Sequence, residues 1–196
     1  MGSEEVAYRS IVETQFAELR AVVEGAASSL APVVTMAETV VAALRGGKKI
    51  LTAGNGGSAS DALHMAEELI GRYRSDRVAL PSVCLAADAT ALTCIGNDFG
   101  FDKIFSRQVE GLGRPGDVLV VYSTSGNSKN LVAAVHAARD LGVKTLGLLG
   151  KDGGELASLV DVAWVVPAKN TARIQELHTW AMHAILETVE EAFPVS

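Results

Sequence analysis

Cysteine is scarce. The 196 residues hold only Cys84 and Cys94, which form neither a CxxC pair nor a larger framework, so a disulfide scaffold and a multi-cysteine metal site are both excluded. Both lie in apolar stretches and read as small reduced core residues. An excess of positive charge is missing too: 17 Lys and Arg against 23 Asp and Glu leave a formal net charge of −6. That argues against the clustered basic footprint needed to grip a nucleic-acid backbone. No apolar run approaches the roughly 20 residues of a membrane span. Met1-Gly2-Ser3-Glu4-Glu5 is acidic where a signal peptide would be basic, and Val6 stands where a myristoylation motif wants Ser or Thr. No internal repeat, linker or low-complexity tract interrupts the chain. With 48% hydrophobic residues it can bury a full core. The expectation is one cytoplasmic domain over residues 1–196, without nucleic-acid or membrane partners.

What the sequence does hold is a pair of short polar segments, Gly54-Asn55-Gly56-Gly57-Ser58 and Ser123-Thr124-Ser125-Gly126-Asn127-Ser128, each between a strand-like and a helix-like run. Unpaired N–H groups at a helix start, the helix dipole, glycines and hydroxyls together make a phosphate cradle. The second loop carries more hydroxyls than one N-cap needs, which marks Ser123, Thr124, Ser125 and Ser128 as phosphate donors. Two such loops in a small domain point to one shared anionic ligand, a phosphorylated small molecule.

The surrounding pattern places the loops. Residues from about Glu4 to Leu44 form two helical patterns broken near Gly25 to Pro32, with Val12, Phe16, Leu19 and Val23 at helical spacing, and read as two packed helices. Strand-like runs follow at Lys49 to Ala53, Ser82 to Ala86, Asp117 to Tyr122, Lys144 to Leu149 and Val162 to Val166. They are near-continuously apolar rather than alternating, as strands covered on both faces of a parallel sheet are. Helices are expected over Ser60 to Tyr73, in stretches reaching about Leu112, over Ser128 to Leu141 and over Thr171 to Ala192. The fold class is α/β, a three-layer α/β/α sandwich with a five-stranded parallel sheet and N-terminal helices.

Gly54-Asn55-Gly56-Gly57-Ser58-Ala59 also matches the G-x-G-x-x-A dinucleotide fingerprint. That reading wants an acidic residue about 20 positions on, at the end of the second strand. Asp76 has the spacing but falls before the strand, in the charged stretch Arg72 to Arg77. The phosphate reading is preferred.

On the helix after the first loop, Asp61, His64, Glu68 and Arg72 follow at steps of three or four and share one face. Such a stripe is either a solvated face or the wall of a site. His64 and Glu68 at this spacing suit a zinc-type cation that needs completion from elsewhere. Gln175, His178 and His183 on the last helix are available, His178 reading more readily as a packed core histidine. Gln175 and His183 are about 12 Å apart along a helix. One metal joins both only if the side chains reach toward each other or a second subunit supplies one.

Taken in order, the Gly-rich loop, Asp61, His64, Ala66-Glu67-Glu68-Leu69, Ile95-Gly96-Asn97-Asp98-Phe99-Gly100, Ser123 to Ser128 and Arg173-Ile174-Gln175-Glu176 through His183 resemble the sedoheptulose 7-phosphate isomerases. These are bacterial members of the sugar-isomerase (SIS) domain group. The resemblance runs over nearly the whole chain. It implies conversion of D-sedoheptulose 7-phosphate to D-glycero-D-manno-heptose 7-phosphate, a step toward the activated heptoses of lipopolysaccharide cores and related glycans. It further implies a homotetramer with sites between subunits, the helices of residues 1–45 in oligomer contacts, and one zinc per subunit on His64, Glu68, Gln175 and His183. Glu68 and His183 are implied as the acid/base pair. Asn55, Gly56, Gly57, Glu68, Asn97, Asp98, Ser123, Thr124, Ser125, Ser128 and Gln175 are implied as sugar-phosphate contacts, with Arg72 at the pocket edge and Thr171 a weaker contact. The alternative is a non-catalytic phosphosugar-binding SIS protein, a regulator or scaffold, which would need the cradle but not the acid, base and metal ligands.

Overall fold

In the computed structural model, which describes residues 3–194, five strands pair in parallel in the order β2-β1-β3-β4-β5. The reading of Met1 and Gly2 lies outside these residues. The strands are β1 (Ile50–Gly54), β2 (Ser82–Cys84), β3 (Val118–Ser123), β4 (Lys144–Gly150) and β5 (Val162–Val166). The helices are α1 (Ser3–Ala26), α2 (Ala31–Arg45), α3 (Gly57–Ile70), α4 (Ala89–Phe99), α5 (Ser106–Leu112), α6 (Lys129–Asp140), α7 (Leu156–Leu159) and α8 (Thr171–Ala192). Short 3-10 turns stand at Ala27–Ser29 and Phe101–Lys103.

The apolar strand runs are explained by two cores, one on each face of the sheet. Ile50, Val118, Val120 and Tyr122 pack with α2, α3 and α8, while Leu51, Ala53, Leu119 and Val121 pack with α5 and α6. Successive side chains point to opposite faces, so burial on both demands apolar residues throughout. β1 and β3 are neighbours, Gly54 standing opposite Tyr122. The chain leaves β1 into α3 on one face and β3 into α6 on the other, which opens a crevice at the carboxyl ends of these strands. This is where open α/β sheets bind ligands.

Several boundaries differ from expectation for local reasons. β2 stops at Cys84 because a turn, with the Ala87 N–H donating to the Cys84 carbonyl at 3.2 Å, leads into α4. α3 begins at Gly57 and ends at Ile70 rather than Tyr73, since the Gly71 N–H closes on Glu67 O at 2.7 Å and the buried Arg77 takes the next two carbonyls. The single turn α7 has no periodic signature in the sequence.

Two expectations are corrected. α1 and α2 diverge by 71° instead of packing along each other, and Val12, Phe16 and Val23 are exposed; Ala26 at the end of α1 is buried in the core, with Leu19 and Val22 leaning on it. Polar bonds also tie α1 to α8 and its N-cap, from Arg173 Nη1 to Gln15 O at 2.8 Å and Asn170 Nδ2 to Glu18 Oε2 at 2.9 Å. Cys84 is a buried core residue, but Cys94 is exposed, because α4 buries no side chain fully. Among the described residues, no single helix is long and apolar enough to cross a membrane.

Candidate active site

Two amide side chains tie the phosphate-type loops together. Asn55 Nδ2 donates to Asn130 Oδ1 at 3.0 Å, and Asn130 Nδ2 returns a bond to Asn55 Oδ1 at 2.8 Å. Asn55 sits in the β1–α3 loop and Asn130 in the first turn of α6, so the pair spans the crevice. The bridge uses the Asn55 oxygen and one of its two amide hydrogens, leaving the other free to donate.

Neither helix at the crevice has its first turn satisfied by a capping side chain. α3 starts after Gly56 and α6 after Ser128, both without a cap hydrogen bond. By contrast, α4 is capped by Asp88, which accepts from Thr90 N and Ala91 N, and α8 by Asn170, which accepts from Ala172 N. The uncapped pair leaves N–H groups and positive dipole ends facing one place.

The serine loop is built largely by its own hydroxyls. Ser123 Oγ accepts from Gly126 N at 3.0 Å and Ser125 Oγ from Asn127 N at 3.2 Å, so the hydrogens of both hydroxyls stay free to donate. Gly126 has φ +67°, and a Cβ there would stand 1.9 Å from Gly153 O. Asn127 Oδ1 accepts from Glu155 N at 2.9 Å, fastening the loop to the segment after β4. An open cleft of about 790 Å³ lies beside it, with Ser125, Asn127, Lys151 and Lys169 on its walls.

The ionisable residues gather where α3 faces α8. His64 Nε2 donates to Glu68 Oε1 at 3.2 Å, and the His64 and His183 rings stand 5.2 Å apart at 85°. The Tyr73 ring also lies near His183, ring centroids 5.8 Å apart. Burial first, then the nearby His64, hold the His183 imidazole below its ordinary value, against the opposite pull of Glu68. A mostly neutral imidazole at neutral pH can take up or release a proton, or bind a metal.

The expected α3 stripe splits by depth. Asp61 is buried and accepts from Thr179 Oγ1 at 2.9 Å, joining α3 to α8, while its Oδ2 has no partner among the described residues. Burial raises its carboxyl above the usual range although the Thr179 bond and His64 oppose this. Arg72 points to solvent and pairs with the exposed Asp76. Gln175 lies two turns before His183, its Nε2 2.4 Å from where a Cβ of Gly57 would stand. The structure therefore brings His64, Glu68 and His183 together and sets Gln175 at the entrance of the first loop. Glu67, which sequence reasoning passed over as a ligand, has a carboxylate oxygen 3.9 Å from His64 Nε2.

His178 is packed, as its core reading expected. Its Nε2–H donates to Leu149 O at 3.0 Å, and burial pushes the ring's pKa down to about 4 against the effect of that bond. Asn97 and Asp98 are exposed near the end of α4, where Asn97 Nδ2 bonds Asp98 Oδ1 at 2.7 Å. Leu92 and Ile95 of the same helix lean on the α5–α6 core, and among the described residues no side-chain hydrogen bond links Asn97 or Asp98 to the α3–α8 cluster. Thr171 is exposed in the first turn of α8. Asn130, Tyr73 and Thr179 were not foreseen; each meets its partner only through long-range packing, which spacing does not encode.

Known proteins share much of this sequence and its architecture. The SIS domain family matches residues 12–150. A phosphoheptose isomerase of Pelobacter propionicus is 47% identical over 182 residues, covering 92% of this chain and 96% of the relative. One from Campylobacter concisus is 53% identical over 156 residues, covering 80% and 82%. The solved phosphoheptose isomerase of Neisseria gonorrhoeae superposes with a TM-score of 0.89 at 44% identity, over 94% of this chain and 99% of that one. With likeness of this extent joined to two uncapped anion loops and a histidine–carboxylate cluster, the chain belongs to the SIS domain family and, within it, to the phosphoheptose isomerases.

Proposed function

We propose that the protein interconverts D-sedoheptulose 7-phosphate and D-glycero-D-manno-heptose 7-phosphate, an aldose–ketose isomerisation that feeds heptose into lipopolysaccharide core or related glycans. The observation that carries this reading beyond phosphosugar binding is the meeting of His64, Glu68 and His183 beside the anion crevice. A sensor or scaffold needs the crevice alone.

The reaction moves one proton between adjacent carbons and passes through an enediol. Glu68 takes a proton from C1 of the ketose and returns it to C2. His183 gives a proton to O2 while the O1 proton is released, so the aldose forms with no atom gained or lost. The uncapped starts of α3 and α6, with Ser123, Thr124, Ser125 and Ser128, hold the 7-phosphate; Asn55, Gly56, Gly57 and Gln175 line its approach. Asn97 and Asp98 are assigned to the sugar hydroxyls, an assignment that rests on the family resemblance.

Two imidazoles and a carboxylate in one pocket are the donor chemistry of a zinc site, and one zinc per subunit on His64, Glu68 and His183, completed by Gln175, is part of the proposal. Zinc there would polarise the ketose carbonyl and steady the charge of the enediolate. A carboxylate ligated to zinc would be a weaker base, so Glu68 would act as base with its oxygen free of the metal.

The assembly proposed is a cytoplasmic homotetramer. A closed tetramer with twofold axes needs at least two different self-complementary patches. One is offered by Val12, Phe16 and Val23 of α1 with Trp180, another by Leu63, Ile70, Val78 and Val83 around α3 and β2, all exposed in the protomer.

Proton NMR in deuterated buffer tests the proposal with sedoheptulose 7-phosphate and metal-analysed protein. Aldose signals with deuterium at C2 support it; binding without conversion, zinc included, favours the sensor or scaffold.

A further inference from the structure

We infer that Arg77 is a positioning residue for the isomerase site, its guanidinium locking the end of the helix that carries Glu68 to the helix that carries His183. The inference rests on the reading of Glu68 and His183 as base and acid.

Arg77 follows α3 by seven residues and turns back beneath it. Its side chain is 1% exposed. Nη1 donates to Leu69 O and to Val78 O, each at 2.9 Å, and Nη2 donates to the carbonyl of Glu68 itself. Nε donates to Glu190 Oε1 at 2.9 Å. One planar group thus occupies carbonyls that the end of α3 leaves free and reaches a carboxylate on α8. A cation at a helix C-terminus is also favoured by the dipole.

The partner's place on α8 matters. Glu190 stands seven residues after His183, two turns along the same face. It also accepts from Ser75 N at 3.0 Å and from Ser75 Oγ, and Arg74 Nη1 pairs with Glu187 Oε1 at 2.7 Å. The connection from Tyr73 to Arg77 is thereby stitched to the last turns of α8, and Tyr73 comes to rest against His183. Mere stability does not call for this arrangement, since buried ion pairs are commonly replaced by apolar residues at no loss. What it fixes is geometry: the backbone of Glu68 on one side and the face of His183 on the other.

That distinction supplies the test. In Arg77→Met/Glu190→Leu the buried pair becomes apolar, so the fold keeps its core while the bonds to the Glu68, Leu69 and Val78 carbonyls and those from Ser75 to Glu190 are lost. The expected result is a kcat lower by about 10- to 100-fold with KM within about twofold, since misplacement of a reacting group costs rate rather than binding. In 15N-histidine spectra, the rings of His64 and His183 should shift while His136 does not. Arg77→Lys keeps the charge opposite Glu190, yet one ammonium does not span a carboxylate and two helix carbonyls, so the same loss of kcat is expected should the double variant fail to fold. Wild-type kcat and unshifted His64 and His183 rings in a folded variant would overturn the inference. A wild-type protein that binds sedoheptulose 7-phosphate without converting it overturns the isomerase reading instead, and the histidine spectra then decide the clamp by themselves.

Discussion

Asn55 and Asn130 are 75 positions apart in the chain and exchange two amide hydrogen bonds, of 3.0 and 2.8 Å, across the crevice between β1 and β3. The glycine-rich and serine-rich loops are therefore one object. Separately each would be a glycine- or serine-rich turn; bridged, they present two uncapped helix starts at a fixed separation.

Asn130→Ala should accordingly act on binding. It removes both bonds and strands the Asn55 amide, at a cost of about 1–2 kcal/mol. We expect KM for the sugar phosphate to rise about tenfold, with kcat changed far less, in steady-state assays. An unchanged KM would show that the loops hold their spacing without the bridge.

Gly126→Ala should be severe. The residue needs positive φ, and the new methyl group would overlap the Gly153 carbonyl. The loss of stability should be about 2–4 kcal/mol, read from the urea midpoint, together with loss of phosphate binding. A variant of normal stability would mean that the serine loop and the segment after β4 separate freely.

His178 should make the fold acid-sensitive. Its imidazole takes a proton at about 6.5 when unfolded and at about 4 when folded, so the unfolded state gains the extra proton between those values. Its contribution is complete above pH 6.5 and is lost as pH falls toward 4. Between pH 7 and 4.5 this amounts to about 2–3 kcal/mol, and His178→Gln should flatten the pH dependence of urea unfolding by that much. Equal slopes for the two proteins would contradict the burial argument.

The exposed stripe of α1 gives a prediction about assembly. Val12→Lys with Phe16→Glu places charges on side chains that are 68% and 71% exposed in the protomer, so the fold should survive while the proposed tetramer should dissociate. Sedimentation velocity reads the outcome. An oligomer that withstands both charges would remove α1 from the proposed interface.

How much of this was legible beforehand follows the range of each interaction. The strands and the long helices were readable because burial on both faces of a parallel sheet leaves unbroken apolar runs, as from Val118 to Tyr122. The loops were readable because glycines and hydroxyls cluster at strand-to-helix junctions. Cys94 was misplaced because α4 is apolar without being covered in the protomer, and hydropathy does not tell a core from an open face. Val12 and Phe16 misled for the same reason. The Asn55–Asn130 bridge, the Tyr73–His183 contact and the Arg77 clamp join positions distant in sequence, and no local pattern announces them.

The central claim is that Glu68 moves the carbon-bound proton in a site whose phosphate cradle is independent of it. Glu68→Gln keeps the size of the side chain and removes the base. The most direct measurement is the rate at which solvent deuterium enters sedoheptulose 7-phosphate and its product, set beside the affinity of the same variant for the sugar phosphate. The account predicts loss of exchange by about 10³-fold or more with affinity within a few-fold of wild type. Exchange at the wild-type rate in Glu68→Gln would contradict it.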